Sequence, residues 1–307
     1  MKISSRARFD KADRQNKIDF YYRLMKEFLG KNIILTLLCL FLACGAGKAQ
    51  LVPMANQREF TDSLKKELDY GPFFGLYKDT YFTVGTTVPA VPTAYNSDVK
   101  FQISFAIRLT NATLPWNSFL FLAYTQKTFW NVFQESLPMG DINFNPALGW
   151  SKPFFSHGRY VGKMSLIVEH ESNGRDGDAS RSWNRVSLSG SVMIDESLMV
   201  HAKFWVPIID SGNNKDITKY CGIFQSGFVY TTPNKKFSFG LTWVKRGNFK
   251  LDFNTIWEFS WLISKKTNIN LFAQYYNGYG EDLLHYNQFR SMLRAGLVFK
   301  PKFFSEF

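Results

Sequence analysis

No apolar run in the 307-residue sequence is long enough to cross a bilayer as a helix. Such a helix needs about 20 consecutive apolar residues, and the longest run, Ile33 to Leu42, is half that length. A membrane protein built of helices is therefore excluded. Cysteine is nearly absent. There are three, and Cys39 and Cys44 lie within or beside that run, so Cys221 has no internal disulfide partner once the leader is gone. Convincing helical periodicity is also missing, since beyond residue 98 no stretch of helical length repeats apolar residues every 3.6 positions. Aromatic residues are what the chain has in excess: 17% in all, 31 of them Phe, on a mean hydropathy of −0.18. A chain polar on average yet this aromatic fits a transmembrane barrel with aromatic girdles. Its 45% hydrophobic and 20% charged residues rule out a disordered chain.

The N-terminus reads as an address. Lys26 and Lys31 precede the run IILTLLCLFL, and the small-residue stretch ACGAGKA follows it. That is a positive region, a short apolar core and a cleavage site at Gly47-Lys48-Ala49, with Gln50 as the new first residue. Met25 would be a more usual start, which makes residues 1–24 an over-extended beginning. A lipoprotein reading of Cys44 is disfavoured by Phe41, where an aliphatic residue is wanted. Removing 1–49 takes away ten basic and four acidic residues, leaving 27 against 21 of an original 37 against 25. Half of the formal +12 thus belongs to the leader, and a nucleic-acid partner loses its main support.

From residue 98 the pattern has period two. Val99, Phe101, Ile103, Phe105, Ile107 and Leu109 share one face, against Lys100, Gln102, Ser104, Ala106, Arg108 and Thr110 on the other. The alternation recurs at Phe237, Phe239, Leu241 and Trp243, at Leu251, Phe253, Trp257, Phe259, Trp261 and Ile263, and at Leu293, Ala295, Leu297 and Phe299. Clusters such as Thr232-Pro233-Asn234 supply turns between them. Residues 98–307 hold about twelve strands of ~10 residues with their turns, ending on Phe303, Phe304 and Phe307. Residues 50–97 alternate poorly and are expected to form an N-terminal arm or plug. A soluble β-sandwich alternates as well. The leader, the aromatic load and the lack of disulfides favour an all-β transmembrane antiparallel barrel.

Three polar residues fall on the apolar face. Met164, Leu166 and Val168 share a parity that runs on to His170 and Ser172, while Ile194, Val192, Leu188 and Val186 share one that runs back to Asn184. If the apolar residues meet lipid, so do these three, on neighbouring strands joined by residues 173–183. That is a nucleophile, base and orienter with a neutral amide in place of the usual acid. The plainer alternative places them at headgroup level or in a wet loop. His157, His201 and His285 have no comparable serine companion.

The string His170-Glu171-Ser172-Asn173-Gly174-Arg175, followed by Ser180-Arg181-Ser182-Trp183-Asn184-Arg185, resembles the active-site signature of the outer-membrane phospholipase A family. Tyr124-Thr125-Gln126 with Trp130, Asp216-Ile217-Thr218-Lys219-Tyr220, and Gly278-Tyr279-Gly280-Glu281 with Tyr286-Asn287 extend the resemblance in order over most of the mature chain. It implies a twelve-stranded outer-membrane barrel that hydrolyses phospholipid acyl esters, requires calcium and is active as a homodimer. It makes Ser172 the nucleophile, His170 the general base, Asn184 its orienter, and the Gly174 amide part of the oxyanion hole. It places calcium on the Ser180 hydroxyl and the Arg175 carbonyl, with a third ligand, a backbone carbonyl, from Ser136 of the partner subunit. The competing readings are a non-catalytic channel or structural barrel, and a lipopolysaccharide deacylase with a similar outward pair.

Overall fold

The computed structural model describes residues 73–301 and Glu306, apart from 112–113, 157–158, 210–211, 248–250 and 265–267. The expected leader, residues 50–72 of the expected arm, His157 and the phenylalanines at 303, 304 and 307 lie outside the described residues. The strands are β1 (Phe74–Leu76), β2 (Thr80–Thr87), β3 (Ser97–Arg108), β4 (Phe119–Trp130), β5 (Met139–Ser156), β6 (Arg159–Ser172) and β7 (Ser182–Met193). They continue as β8 (Leu198–Ile208), β9 (Phe224–Thr231), β10 (Phe237–Lys245), β11 (Phe253–Ser264), β12 (Ile269–Gly278) and β13 (Arg290–Phe299), with one short helix, α1 (Ile217–Cys221). Each strand from β2 onward pairs antiparallel with the next, and β13 pairs back onto β2 from Met292↔Thr87 to Phe299↔Thr80. The twelve strands β2–β13 therefore close on themselves, leaving no sheet edge to meet lipid.

The barrel begins earlier than residue 98. Thr80–Thr87 is a wall strand between β13 and β3, and Phe74–Leu76 pairs further along β3 at Phe105, Ala106 and Ile107. The sequence hides β2 because threonines fall on both faces and Gly85 interrupts the alternation. Gly85 is required by packing, since a Cβ there would lie 2.0 Å from the Leu293 carbonyl oxygen.

Parity decides which side chains meet lipid. In β3 the side chains of Phe101, Ile103, Phe105 and Ile107 stand on the outer wall, while Lys100, Gln102, Ser104 and Arg108 are buried inside. The same division runs through β11, with Phe253, Trp257, Phe259, Trp261 and Ile263 outward. Loops at one end are long (88–96, 131–138, 173–181, 209–223 and 279–289), while at the other end β5–β6 and β7–β8 are joined by two to four residues. In barrels of this kind the long loops are extracellular.

The lumen does not run clear. Arg294 donates to both oxygens of Asp98 at 2.7 and 2.8 Å and to Glu281 at 2.6 Å, and the Lys100 ammonium joins Glu281 at 3.1 Å and Gln274 at 2.8 Å. Above them the 279–289 loop reaches β5, where Leu283 and Leu284 donate backbone N–H groups to Asn143 and Asp141. Its Leu283 and Tyr286 pack with Trp183, Trp205 and Ile217. Beneath this cover lies a cavity of about 510 Å³.

Leu166 and Leu188 face each other across β6 and β7 and are exposed on the outer wall. Leu166→Arg is expected to destabilise the barrel by about 2 kcal/mol in lipid, read from urea unfolding in vesicles. Ser189, buried in the lumen wall beside it, should tolerate Thr at much smaller cost.

Candidate active site on the outer wall

The pairing of β6 with β7 sets His170 opposite Asn184 and Ser172 opposite Ser182. The His170 carbonyl points toward β5, where it accepts a hydrogen bond from the Asn145 side chain, so His170 and Asn184 form a non-hydrogen-bonded ladder pair. Such pairs bring side chains closest, with Cα atoms about 4.5 Å apart. His170 Nδ1 and Asn184 Oδ1 are 2.8 Å apart. An amide oxygen can only accept, so Nδ1 carries the proton and Nε2 keeps its lone pair. Ser172 follows two residues along the same outward face. Among the described residues no hydrogen bond joins it to His170, and such contacts are often long before substrate binds.

The hairpin beyond Ser172 is held by Asn173, which is buried. Its backbone N–H donates to the Arg181 carbonyl at 3.0 Å, its amide nitrogen to the Ala179 carbonyl at 2.9 Å, and its Oδ1 accepts from the Arg181 N–H at 2.9 Å. Gly174 sits at φ +64°, and a Cβ there would lie 2.9 Å from the Phe144 ring. Both facts demand glycine and leave the backbone at 174 uncovered by any side chain of its own. Arg175 turns its side chain to the Gly140 carbonyl at 2.7 Å and to Asp141 at 3.5 Å. Gly177–Ala179 form a 3-10 turn that Ser180 closes with its N–H on the Gly177 carbonyl at 3.1 Å. Gly174, Arg175 and Ser180 thus share one short loop beside the His170–Asn184 pair. Ser136 lies apart, exposed at φ +64° on the loop joining β4 and β5, at the same end of the barrel.

The opposite face of the same strands carries a charged clamp. Arg185 donates to Glu169 and Glu171 at 3.0 Å each, Lys203 pairs with Glu169 at 2.7 Å, and Ser187 donates to Glu169 at 2.6 Å. The Trp183 indole N–H donates to Glu171 at 3.1 Å, and the Arg185 guanidinium stacks 4.2 Å over its ring. Glu171, between the histidine and the serine in sequence, therefore serves the lumen rather than the outer site. These partners straighten β6 and β7 from behind. On the neighbouring loop Asn214 brackets the start of β7, accepting from the Ser182 N–H and donating to its carbonyl. Burial pushes the Cys221 thiol up to about 12, which removes it as a nucleophile. His285 binds Asp282 at 2.9 Å in its loop, and His201 is a buried residue of β8.

No cluster of three His, Cys, Asp or Glu side chains able to hold a metal occurs among the described residues. The donor set around the hairpin is instead hydroxyl and backbone carbonyl oxygen, which suits a hard cation such as calcium and not a transition metal.

Fold and site together define a closed transmembrane β-barrel with a His–Asn pair and a serine on its lipid-facing wall. The comparisons with known proteins agree. The sequence model described as phospholipase A1 matches residues 80–299. Phospholipase A1 of Escherichia coli K12 is 31% identical over 220 residues, 68% of this chain and 72% of that protein, and the Proteus vulgaris phospholipase A1 is 30% identical over 219. Among solved structures, outer membrane phospholipase A from Escherichia coli superposes with a TM-score of 0.66 at 26% identity, covering 74% of this chain and 98% of that one. The calcium-bound outer membrane phospholipase dimer of Salmonella typhi gives 0.67 at 25%, covering 82% and 99%. The chain belongs to the phospholipase A1 family.

Glu169 is buried with two cations on it. Glu169→Ala should cost about 3–5 kcal/mol, because it leaves both without their shared partner. A fall in the urea midpoint with the unfolding slope unchanged is the expected result.

Proposed function

We propose that this protein is an outer-membrane phospholipase A that cleaves acyl esters of glycerophospholipids with Ser172 as nucleophile, His170 as general base and Asn184 as its orienter. The observation that carries the reading is the 2.8 Å contact between His170 Nδ1 and Asn184 Oδ1 on the outer wall. Polar groups there are costly to leave unpaired, and the place is where a phospholipid arriving sideways through the leaflet would present its ester. His170 Nε2 takes the proton of the Ser172 hydroxyl as Oγ attacks the ester carbonyl carbon. The protonated imidazole returns that proton to the departing lysophospholipid oxygen, and Asn184 holds the ring through both transfers. Water, activated by the same Nε2, then releases the fatty acid from Ser172. The Gly174 N–H, two residues beyond Ser172 on a backbone free of a Cβ, would meet the developing oxyanion.

Calcium would be held by the Ser180 hydroxyl and the Arg175 carbonyl, with a carbonyl from Ser136 of the partner subunit completing the site in a homodimer. When bound it supplies positive charge beside the ester oxygen. The calcium-bound dimer among the structural relatives supports calcium and a dimer in this reading. The two oxygens available within one subunit are few for a cation that takes six to eight. The channel reading finds little support in a lumen crossed by Arg294, Lys100 and Glu281 and covered by the 279–289 loop.

Fatty-acid release from phospholipid–detergent micelles should require calcium, stop with chelator, and vanish in Ser172→Ala while that variant stays folded and dimeric. Release from lipopolysaccharide but not phospholipid would redirect the assignment to a deacylase. Undiminished bilayer conductance in Ser172→Ala would redirect it to a channel.

The base must be neutral to accept a proton, so kcat/KM is expected to fall as pH drops through the range in which histidines protonate. A kcat/KM that does not fall on acidification would remove His170 from that role.

A further inference from the structure

β5 and β6 keep one register past the site: Phe144 faces Ser172 and Ala147 faces Glu169. By that register Pro146 stands opposite His170, and there the ladder pairing is interrupted. In an antiparallel pair a residue points its N–H and C=O at the same neighbour. The His170 carbonyl points at β5, so an ordinary residue at 146 would give it an N–H. Proline has none to give, and for that reason prolines are rare within central strands. The side chain of Asn145, buried on the lumen face, makes the bond instead, with Nδ2 at 2.7 Å from the His170 carbonyl oxygen. The same amide nitrogen lies 3.5 Å from Glu169 Oε2, at the edge of the charged clamp. Pro146 itself is exposed on the outer wall, beside the imidazole.

We infer that Asn145 is a positioning residue for His170: its amide replaces the ladder donor that Pro146 removes and fixes the backbone from which the imidazole projects. The inference rests on the assignment of His170 as general base. Two things follow from the exchange. By register a rigid ring, with no long flexible side chain, stands across from His170 on the side away from Asn184. The histidine is also tied to the buried clamp behind the wall, so its orientation is set from both neighbouring strands, by Asn184 through the ring and by Asn145 through the main chain.

The test is a double-mutant cycle on the full protein refolded in detergent with calcium. Asn145→Ala should lower kcat about tenfold with KM unchanged, since a lost hydrogen bond misplaces the base without touching the lipid. Pro146→Ala alone keeps the Asn145 bond and should stay within about twofold of the parent. Asn145→Ala combined with Pro146→Ala should recover most of the lost kcat, because the new alanine N–H can take the orphaned carbonyl. Rescue is the decisive readout: a residue needed only for the lumen network would not be restored by a backbone N–H within the wall, aimed at the His170 carbonyl. A double variant as slow as Asn145→Ala, or an Asn145→Ala enzyme at parental kcat, overturns the inference. If Asn145→Ala does not fold, Asn145→Leu keeps the volume without the donor and is read in the same cycle. His170→Ala, run alongside, must be inactive. Activity in that variant would overturn the general-base assignment itself, and is thereby distinguishable from failure of the positioning role.

Discussion

Hydrocarbon offers no hydrogen bonds, so every backbone N–H and C=O that meets it must be satisfied by the protein. That constraint organises this molecule. It explains why β2 has to lie between β13 and β3 although its sequence alternates weakly, because without Thr80–Thr87 the sheet would present two open edges to lipid. It explains why Pro146 can sit in the middle of a wall strand only with a substitute donor at hand. It also divides the side chains, sending Phe, Leu and Trp outward, where dispersion contacts with acyl chains cost nothing in hydrogen bonds, and charge inward.

Charge sent inward must then find partners, and among the described residues two groups hold most of it. One joins Asp98, Lys100, Glu281 and Arg294; the other joins Glu169, Glu171, Arg185 and Lys203, with Glu306 reaching Lys203 and Lys78. Buried ion pairs are not a strong source of net stability when weighed against apolar packing of the same volume. Their use here is geometric. The second group lies directly behind the His170 and Asn184 strands, so the outer wall carries the proposed catalytic residues on one face of β6 and β7 while the inner face fixes their register. A waterlike lumen would leave those two strands free to flex.

The faces of β3, β6, β7, β10, β11 and β13 were legible in the sequence because parity along a strand is a one-bit property, and lipid on one side makes the bit easy to read. His170, Ser172 and Asn184 stood out by the same logic, as polar residues on the apolar parity. Two kinds of information were not legible. Gly85 and the threonines of β2 erased the alternation that would have placed its start before residue 98. The roles of Asn173, Glu171 and Asn145 depend on partners across a hairpin or on the neighbouring strand, which a single strand's pattern does not carry. A signal for one of these was present nonetheless: Pro146 lies on the lipid parity within a run that otherwise reads as a central strand, and a proline in such a place asks which group serves the carbonyl it leaves.

A neutral orienter on the wall has a physical logic of its own. An aspartate facing lipid would have to be desolvated as an anion, the costliest group to place there, or be protonated and lose its use. Asn184 costs only an amide, and its oxygen still fixes which ring nitrogen carries the proton. In the mechanism proposed above, the price is weaker stabilisation of the imidazolium that would form as Ser172 attacks. Part of that deficit can be met from behind, since Glu169 and Glu171 flank His170 in sequence and carry negative charge one strand thickness away, but Arg185 and Lys203 largely cancel it. In that proposal His170, held by Asn184 from one strand and by Asn145 from the other, would gain through fixed geometry much of what a buried carboxylate would otherwise supply through charge.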